Sequence, residues 1–400
     1  MTGTMWQPIS RETAGRGDSA NTQRPRQPMN SAEGGVKSYD MPLVAHQPFQ
    51  RGFTESTTAA PQLPPQAVVM QMVMGGWIAR TISEVSRLDV PDALQRGGPM
   101  TAAALVAGGV RADTGALERA LRALASVGLF SEDDRARFGL TPLSEALTSS
   151  APGSVKIVAE EIGGTWLRTL SELGESIRTG EPQAHKVYGM GWWEWLNANP
   201  KELERFGHAM MANSENSMRG VLDKCEFTGV KLVADIGGGF GHLVIALLEK
   251  YPALKGVLMD VPELIPVAKA RNPAPSSVAA RLEYYGGDMF ESVPTADAYV
   301  MKHIIHDWDD ERCLQLLRNC QRSMNGNGRV ICVDSVLPPF GDTSGTAAKF
   351  LDLLMMAGIR GKERTRKQWE ELYAGAGLRV ASVTSLQDNF GTSIVEGVKA

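Results

Sequence analysis

The sequence has few cysteines and no long apolar run. Only four cysteines occur in 400 residues, and none stands in a CxxC pair. A chain of this length buries a core without cross-links, so we expect reduced thiols and a cytoplasmic location. No apolar run approaches the roughly 20 residues that cross a bilayer, and no signal-peptide core follows the N-terminus. These absences argue against a disulfide scaffold and a membrane protein.

An excess of charge is also lacking. The chain has 41 Lys and Arg against 45 Asp and Glu, a net charge of −4, which gives no electrostatic footprint for nucleic acid. Its 43% hydrophobic and 22% charged residues are typical of a globular protein. Because 400 residues are more than a single hydrophobic core usually serves, we expect two domains and a tail.

The first part of the chain divides into a tail and a helical domain. Residues 1–62 are rich in Gln, Pro, Ser and Gly, and we predict a disordered tail. Residues 63–160 show helical patterns followed by a small hairpin, which predicts a winged helix. The helix at 66–80 is apolar nearly all round, so a small domain or a second subunit must cover it. The would-be recognition helix has only Arg119 and Arg122 as cations, which favours a scaffold over a DNA reader.

From residue 230 the pattern changes to strands that alternate with helices. Five short apolar or β-branched runs follow one another, which predicts a Rossmann-like parallel sheet with helices on both faces. Two late runs, near 378–386 and 392–399, predict an antiparallel C-terminal hairpin. We therefore predict an α/β domain over 161–400, which also contains helices for an acceptor pocket.

A glycine-rich turn follows the first of these strands. Gly237, Gly239 and Gly241 allow the backbone to approach a ligand at the carboxyl edge of the sheet. The third glycine of a dinucleotide-binding pattern would fall on His242, and Asp235 would repel a pyrophosphate. A ligand with an ammonium group and no phosphate fits the turn better than a nicotinamide dinucleotide, which is the alternative.

Acidic residues also follow the next two strands. Asp260, 23 residues after Gly237, suits a ribose, and Asp288 suits an adenine amine that Met289 and Phe290 would cover. One Asp after a strand is commonly a helix cap, but three in succession are harder to explain in this way. Together they predict an adenosine that carries an amino acid, which is S-adenosylmethionine.

The stretch MKHIIHDWDD, residues 301–310, continues this edge. His306 lies just past the fourth strand, where an imidazole accepts a proton near neutral pH, although a core histidine is the alternative. Asp309 or Asp310 is predicted to cap the next helix. The predicted buried stripe of that helix is Cys313, Leu316, Leu317 and Cys320.

The sequence resembles the S-adenosylmethionine-dependent O-methyltransferases that include plant caffeate and flavonoid enzymes and bacterial natural-product enzymes. The motifs that carry the resemblance, over about residues 65–400, are DIGGGFG, LMDVPELI, GDMF, KHIIHDWDDE and GKERT. The resemblance implies a winged-helix dimerisation domain, an intertwined homodimer, the product S-adenosylhomocysteine and no metal. Relatives that perform C- or N-methylation, decarboxylation or hydroxylation on this fold, and a winged-helix regulator, are the alternatives.

The resemblance also implies roles for single residues. His306 would be the general base that takes a substrate hydroxyl proton, with Asp334 and Glu363 as its acidic partners. Asp334 is one methylene shorter than the Glu that is usual in the family. Lys302 would bind the cofactor, and Trp308 would pack near its adenine. Further cofactor contacts are implied for Val261, Gly287 and Ser214, and acceptor contacts for Trp166, Met210, Asn213 and Asp307.

The reaction that the resemblance implies is an in-line displacement at a sulfonium methyl, with most of the acceleration from alignment. Aromatic side chains over 162–217 suggest a flat aromatic acceptor, although at least half of them are expected to be core. Thr365 and Gln368 predict a capping box, whereas we expect Lys362 and Arg364 to serve the surface.

Overall fold

The computed structural model describes residues 64–386 and 390–400, and within the helix at 200–224 it leaves out the side chains of residues 204 and 211–216. The predicted disordered tail over 1–62 lies outside the described residues, and the domain boundaries stay predictions. Among the described residues, no helix has the length and apolarity that crossing a bilayer requires.

The N-terminal part is mainly helical and contains a small hairpin. Its elements are α1 (Pro65–Arg87), α2 (Val90–Gly97), α3 (Ala102–Ala107), α4 (Thr114–Ser126), β1 (Phe130–Glu132), β2 (Phe138–Leu140) and α5 (Pro142–Glu145). Leu117, Leu121 and Leu124 of α4 are buried against the core of this part. β1 and β2 pair antiparallel. The winged-helix arrangement is thus confirmed.

Helix α1 has several apolar side chains that are exposed to solvent. Trp77 is 74% exposed, and Met72 and Val73 are 60% and 63% exposed. These residues lie in the N-terminal part of the helix, whereas Ser83, Val85 and Ser86 near its C-terminal end are buried. One chain therefore covers only part of the apolar helix that the sequence predicts.

A chain of short helices leads from this domain to the sheet. The elements are α6 (Lys156–Glu161), a π-helix (Ile162–Trp166), α7 (Leu167–Thr169), a 3-10 helix (Leu170–Glu172), α8 (Leu173–Thr179), α9 (Ala184–Tyr188), α10 (Trp192–Ala198) and α11 (Pro200–Lys224). The π-helix packs on α1 so closely that a Cβ at Gly163 would overlap the carbonyl of Ala79.

The sheet follows, with strand order β5-β4-β3-β6-β7-β10-β9. Its elements are β3 (Leu232–Ile236), α12 (His242–Lys250), β4 (Lys255–Asp260), α13 (Leu264–Arg271), α14 (Ser276–Ala279), β5 (Leu282–Gly286), β6 (Ala296–Lys302), a 3-10 turn (Ile305–Asp307), α15 (Asp310–Ser323), β7 (Met324–Leu337), α16 (Thr346–Ile359), β8 (Arg364–Thr365), α17 (Arg366–Gly375), β9 (Leu378–Ser385) and β10 (Thr392–Lys399). β3 to β7 pair in parallel, and β9 and β10 form an antiparallel hairpin, as predicted. β10 also pairs antiparallel with β7, which joins the hairpin to the sheet.

The topology decides where a ligand can bind. The chain runs outward from β3 through β4 to β5, and then crosses back to place β6 on the other side of β3. The loops after β3 and β6 therefore diverge and leave a crevice at the carboxyl edge of the sheet. Both predicted motifs, the glycine turn and the turn with His306, lie at this crevice.

The helix after β6 matches its predicted details. The Asp309 side chain accepts from the Arg312 amide at 3.0 Å and caps α15. The capping box of Thr365 and Gln368 is present at the start of α17. The predicted stripe of α15 is fully buried: Cys313, Leu316, Leu317 and Cys320. Its two cysteines are core residues, as expected.

Candidate active site

A cavity of about 410 Å³ opens at the crevice between β3 and β6. Two kinds of residue line it. Polar and glycine residues at the ends of the strands form one side, and apolar side chains from α10, α11 and α16 form the other. The lining from the predicted set is Trp166, Met210, Gly237, Gly239, Asp260, Lys302, His306 and Asp307.

The glycine turn and Asp260 make a cradle on one side of the cavity. The Gly239 amide donates to Oδ2 of Asp260 at 2.9 Å, and the Val261 amide donates to Oδ1 at 2.8 Å. Gly239 has φ of +58°, which favours glycine, and a Cβ at Gly237 would lie 2.5 Å from Ile304 Cδ1. Burial raises the pKa of Asp260 against these two amides. An acidic side chain beside side-chain-free backbone suits the ribose of a nucleoside.

Asp235 lies behind this turn rather than on the cavity wall. It is 2% exposed, its Oδ2 has no hydrogen-bond partner, and the Val244 amide of α12 bonds the carboxylate. Burial raises the pKa of Asp235 to about 7, while the Lys302 charge lowers it. Burial likewise lowers the pKa of Lys302, which Asp235 and Asp334 oppose. The structure brings Lys302 to the cavity, and the contact of Asp235 with an ammonium group stays a prediction.

The residues after β5 lie apart from the cavity lining. Asp288 is exposed, and its Oδ1 accepts from the Phe290 amide at 2.8 Å, so it closes a turn. The Phe290 ring packs against the core and meets Trp308 edge-on at 4.7 Å. Gly241, Val261, Gly287, Asp288, Met289, Phe290 and Trp308 are not among the lining residues, and their cofactor contacts stay predictions.

His306 lies on the 3-10 turn after β6 and reaches the cavity. Its Nδ1 lies 2.8 Å from Oε1 of Glu363, and its Nε2 lies 3.4 Å from Oδ1 of Asp307. The His306 side chain is 11% exposed. A carboxylate on Nδ1 holds the proton on that nitrogen, so that Nε2 carries the lone pair.

Asp334 and Glu363 approach this ring unequally. Asp334 Oδ1 is 3.9 Å from Nδ1, beyond hydrogen-bond distance, and neither oxygen of Asp334 has a partner among the described residues. The missing methylene therefore leaves Asp334 short, and Glu363 alone makes the bond. Burial raises the pKa of Asp334 to about 7. Its catalytic role stays a prediction.

The charges around the ring set its protonation. Burial lowers the pKa of His306, but the carboxylates of Glu363, Asp307 and Asp334 outweigh it and raise the pKa to about 10. A cation bound beside the ring would disfavour the imidazolium and lower this pKa. Burial also raises the pKa of Asp307 to about 6, against the effect of His306.

The expectation that Arg364 serves the surface is wrong. Its side chain is 1% exposed and donates to backbone carbonyls next to His306. Lys362 is half-buried and pairs with Asp310 at 2.5 Å. The sequence did not indicate the burial of Arg364, because a charged residue next to another charged residue is usually solvated.

The apolar wall contains residues that the sequence reasoning did not find. Helix α16 contributes Leu351, Leu354, Met355 and Ile359 to the cavity lining. The sequence did contain an indication that α16 is buried on more than one side, since this helix has a high apolar content and no continuous polar face. His303, whose Nε2 is buried without a partner, also lines the cavity.

The predicted aromatic residues divide between wall and core. Trp166, Trp192, Trp193 and Phe206 line the cavity. Tyr188 and Trp192 are 8% exposed and form a core cluster against which Trp195 packs. Asn213 and Ser214 lie on α11, but their side chains lie outside the described residues.

Comparisons with known proteins decide the family. The models of an O-methyltransferase domain and an O-methyltransferase dimerisation domain match residues 170–379 and 70–150. The phenazine O-methyltransferase PhzM of Lysobacter antibioticus is 33% identical over 352 residues, which cover 86% of this chain and 98% of that relative. The chain belongs to the O-methyltransferase family. It is an S-adenosylmethionine-dependent O-methyltransferase, and the alternatives of an oxidoreductase and a regulator are set aside.

Solved structures of this O-methyltransferase family show the same fold. The mitomycin 7-O-methyltransferase MmcR superposes with a TM-score of 0.76 at 33% identity, over 84% of this chain and 98% of that one. NcsB1, an O-methyltransferase from neocarzinostatin biosynthesis, was solved with S-adenosylmethionine and 2-hydroxy-5-methyl naphthoic acid. It superposes with a TM-score of 0.71 at 30% identity, over 80% of this chain and 96% of that one.

Proposed function

We propose that this enzyme methylates a phenolic hydroxyl of a small aromatic natural product, with His306 as the general base. The observation that carries the proposal is one imidazole, that of His306, which bonds Glu363 through Nδ1 and lines the same cavity as Asp260 and the glycine turn. Bound S-adenosylmethionine supplies a methyl group on a positively charged sulfur. Gly237, Gly239, Asp260 and Lys302 would hold it.

The base is needed because of the acceptor's acidity. A phenol titrates near ~10, judged by Tyr, so it is mostly protonated at neutral pH. The carboxylates around His306 favour the imidazolium, and the positive charge of bound S-adenosylmethionine would oppose them and restore the neutral ring. The neutral imidazole then accepts the phenol proton at Nε2, and Glu363 stabilises the imidazolium that forms. Asp307, whose Oδ1 lies 3.4 Å from Nε2, would orient the hydroxyl.

The walls of the cavity favour a flat apolar acceptor. Trp166, Trp193 and Phe206 line one part of it, and Met210 with Met355 provides adaptable apolar surface. NcsB1, which has an aromatic hydroxy acid in its structure, has the same fold. The prediction that no metal takes part, like the cytoplasmic location, stays a prediction.

We also propose a homodimer formed through α1. The match to a dimerisation domain covers residues 70–150, and the exposed apolar residues of α1 begin at this boundary. A face with Met72, Val73 and Trp77 more than half exposed costs free energy in water unless a second surface covers it. A second copy of the same helix offers matching apolar surface.

The test of the base is methyl transfer from labelled S-adenosylmethionine to a panel of phenols, with His306→Ala beside the wild type. We expect turnover to fall by ~10²–10⁴-fold, the value of positioned proton transfer, with cofactor affinity kept in calorimetry. His303→Asn is the matched variant, because this second imidazole lines the same cavity without a carboxylate partner on Nε2.

The outcome distinguishes the two rings. A loss that is much larger for His306→Ala than for His303→Asn supports the proposal. Equal activity of His306→Ala and the wild type across the phenol panel contradicts it, and a panel without any methylated phenol contradicts the acceptor class.

A further inference from the structure

Arg364 is a buried cation beneath the active site. It begins β8, directly after Glu363, and its side chain is 1% exposed. A buried guanidinium is costly unless its five N–H groups find acceptors. The acceptors that it finds are therefore informative about its role.

Most of these acceptors are backbone atoms around the base. Nη1 donates to the Ile305 carbonyl at 3.1 Å and to the Lys362 carbonyl at 3.2 Å. Nη2 donates to the Trp308 carbonyl at 3.0 Å. One planar group thus joins the residue before His306 and the residue after Asp307 to the residue before Glu363.

We propose that Arg364 is a positioning residue for the methyl transfer, because its bonds to these carbonyls set the separation between His306 Nδ1 and Glu363 Oε1. The two chain segments meet only through tertiary contacts, and a single nitrogen, Nη1, bonds both of them. The inference rests on the proposed role of His306 as the base.

A simple charge pair is the competing role, and the structure offers a control for it. Arg364 Nε and Nη2 donate to Oδ1 of Asp310 at 3.0 and 2.8 Å. Lys362 Nζ donates to Oδ2 of the same carboxylate at 2.5 Å. Lys362 therefore shares the charge role, whereas Arg364, unlike Lys362, is also bonded to the carbonyls of Ile305 and Trp308.

Arginine is suited to this task by its shape. Its N–H groups point outward in a fixed fork, so it reaches several carbonyls at once without rotating. A lysine at this position keeps the charge and loses the fork. Arg364→Lys is therefore the variant that separates position from charge, and Lys362→Gln is its matched control.

The experiment measures kcat, the KM for cofactor and the pH profile of kcat/KM for the intact enzyme and its variants. We expect Arg364→Lys to lower kcat by ~10–100-fold, as misplacement of ~1 Å costs, with the cofactor KM changed by less than about threefold. The rising limb of the profile should move to lower pH, because weaker contact with Glu363 lowers the pKa of His306. The groups that face this ring are Glu363, Asp307, Asp334 and His303.

The control and the double variant complete the design. Lys362→Gln is expected to leave the rising limb of the kcat/KM profile at its wild-type pH. Glu363→Gln with Arg364→Lys should be no slower than Glu363→Gln alone, since both act on one contact. A wild-type kcat and limb in Arg364→Lys, or additive losses in the double variant, would overturn the proposal.

Two further measurements keep the test decisive. If Arg364→Lys shows no cooperative thermal unfolding, Arg364→Gln replaces it and is compared with Lys362→Gln, which removes one positive charge from the same Asp310 carboxylate. The same outcomes then decide. His306→Ala separates the two proposals: an active His306→Ala removes the general base. An inactive His306→Ala beside an unchanged Arg364→Lys removes only the positioning role.

Discussion

Nδ1 of His306 lies 2.8 Å from Oε1 of Glu363, although 57 positions separate the two residues in the chain. The 3-10 turn after β6 brings one of them to the edge of the sheet, and the loop before β8 brings the other. Because the bond occupies Nδ1, the reactive lone pair lies on Nε2. The ring is thereby oriented before a substrate arrives.

Replacing Glu363 by Gln should change the pH dependence of the enzyme. The neutral ring is the active form, so kcat/KM should rise with pH as the imidazolium, whose pKa is raised to about 10, loses its proton. Without the Glu363 charge the pKa falls, so the limb should move to lower pH and the plateau should drop by ~10-fold or more. Profiles of kcat/KM from pH 6 to above pH 10 would show both changes.

The acceptor's own ionisation is the control for this profile. If the rising limb of the kcat/KM profile reports ionisation of the substrate, a phenol of lower pKa should move it to lower pH. If the limb reports His306, the same phenol should leave it in place. Identical profiles for Glu363→Gln and the wild type would contradict the assignment.

Asp334→Asn should have a smaller effect than Glu363→Gln. Asp334 stops 3.9 Å from Nδ1 and makes no hydrogen bond to it, so the substitution removes a charge and leaves the ring's orientation intact. We expect a limb shift in the same direction and less than ~10-fold loss in kcat, because the effect is coulombic only. A loss equal to that of Glu363→Gln would show that Asp334 also orients the ring.

Asp260 should matter more than Asp288 for cofactor binding. Asp260 lines the cavity and holds the glycine turn, whereas Asp288 is exposed and closes a turn elsewhere. Loss of hydrogen bonds to a charged group costs ~1.5–3 kcal/mol, so Asp260→Ala should weaken S-adenosylmethionine binding by ~10–100-fold. Calorimetry should find Asp288→Ala within about threefold of the wild type. A larger loss of affinity in Asp288→Ala than in Asp260→Ala would contradict this expectation and would support the predicted contact of Asp288 with the adenine.

Gly163→Ala should destabilise the contact between α1 and the π-helix. The new Cβ would overlap the Ala79 carbonyl, and overpacking of this kind costs ~1–3 kcal/mol. Gly207→Ala in α11 is the matched control, because its Cβ meets no atom within 4 Å. Alanine in a helix is favoured by ~1 kcal/mol over glycine, so this control should not lower the free energy of unfolding. Thermal melts of both variants would measure the difference, and equal stabilities would contradict the tight crossing.

Trp77→Asp should weaken the proposed dimer. Trp77 is 74% exposed on α1, and a carboxylate there would be buried without a partner in a dimer interface. Ile177→Asp is the control, since Ile177 is 65% exposed on α8, outside the match to the dimerisation domain. Sedimentation at several concentrations should show the monomer for the first variant alone. A dimeric Trp77→Asp would place the interface elsewhere.

Local patterns in the sequence determined most of the architecture and part of the site. The parallel sheet, the C-terminal hairpin, the stripe of α15 and the capping box of Thr365 follow from periodicity and cap chemistry, which act over a few residues. The position of Gly237, Asp260 and His306 at one edge also follows, because parallel strands end on the same side of a sheet.

Only the tertiary structure decided the contacts between distant segments. It showed that Glu363 bonds His306 while Asp334 falls short, that α16 forms a wall of the cavity, and that Arg364 is buried. The physical reason is that a hydrogen bond is lost over less than 1 Å, whereas a sequence pattern fixes only which face or edge a residue occupies. Distances between segments depend on how every layer of the domain packs.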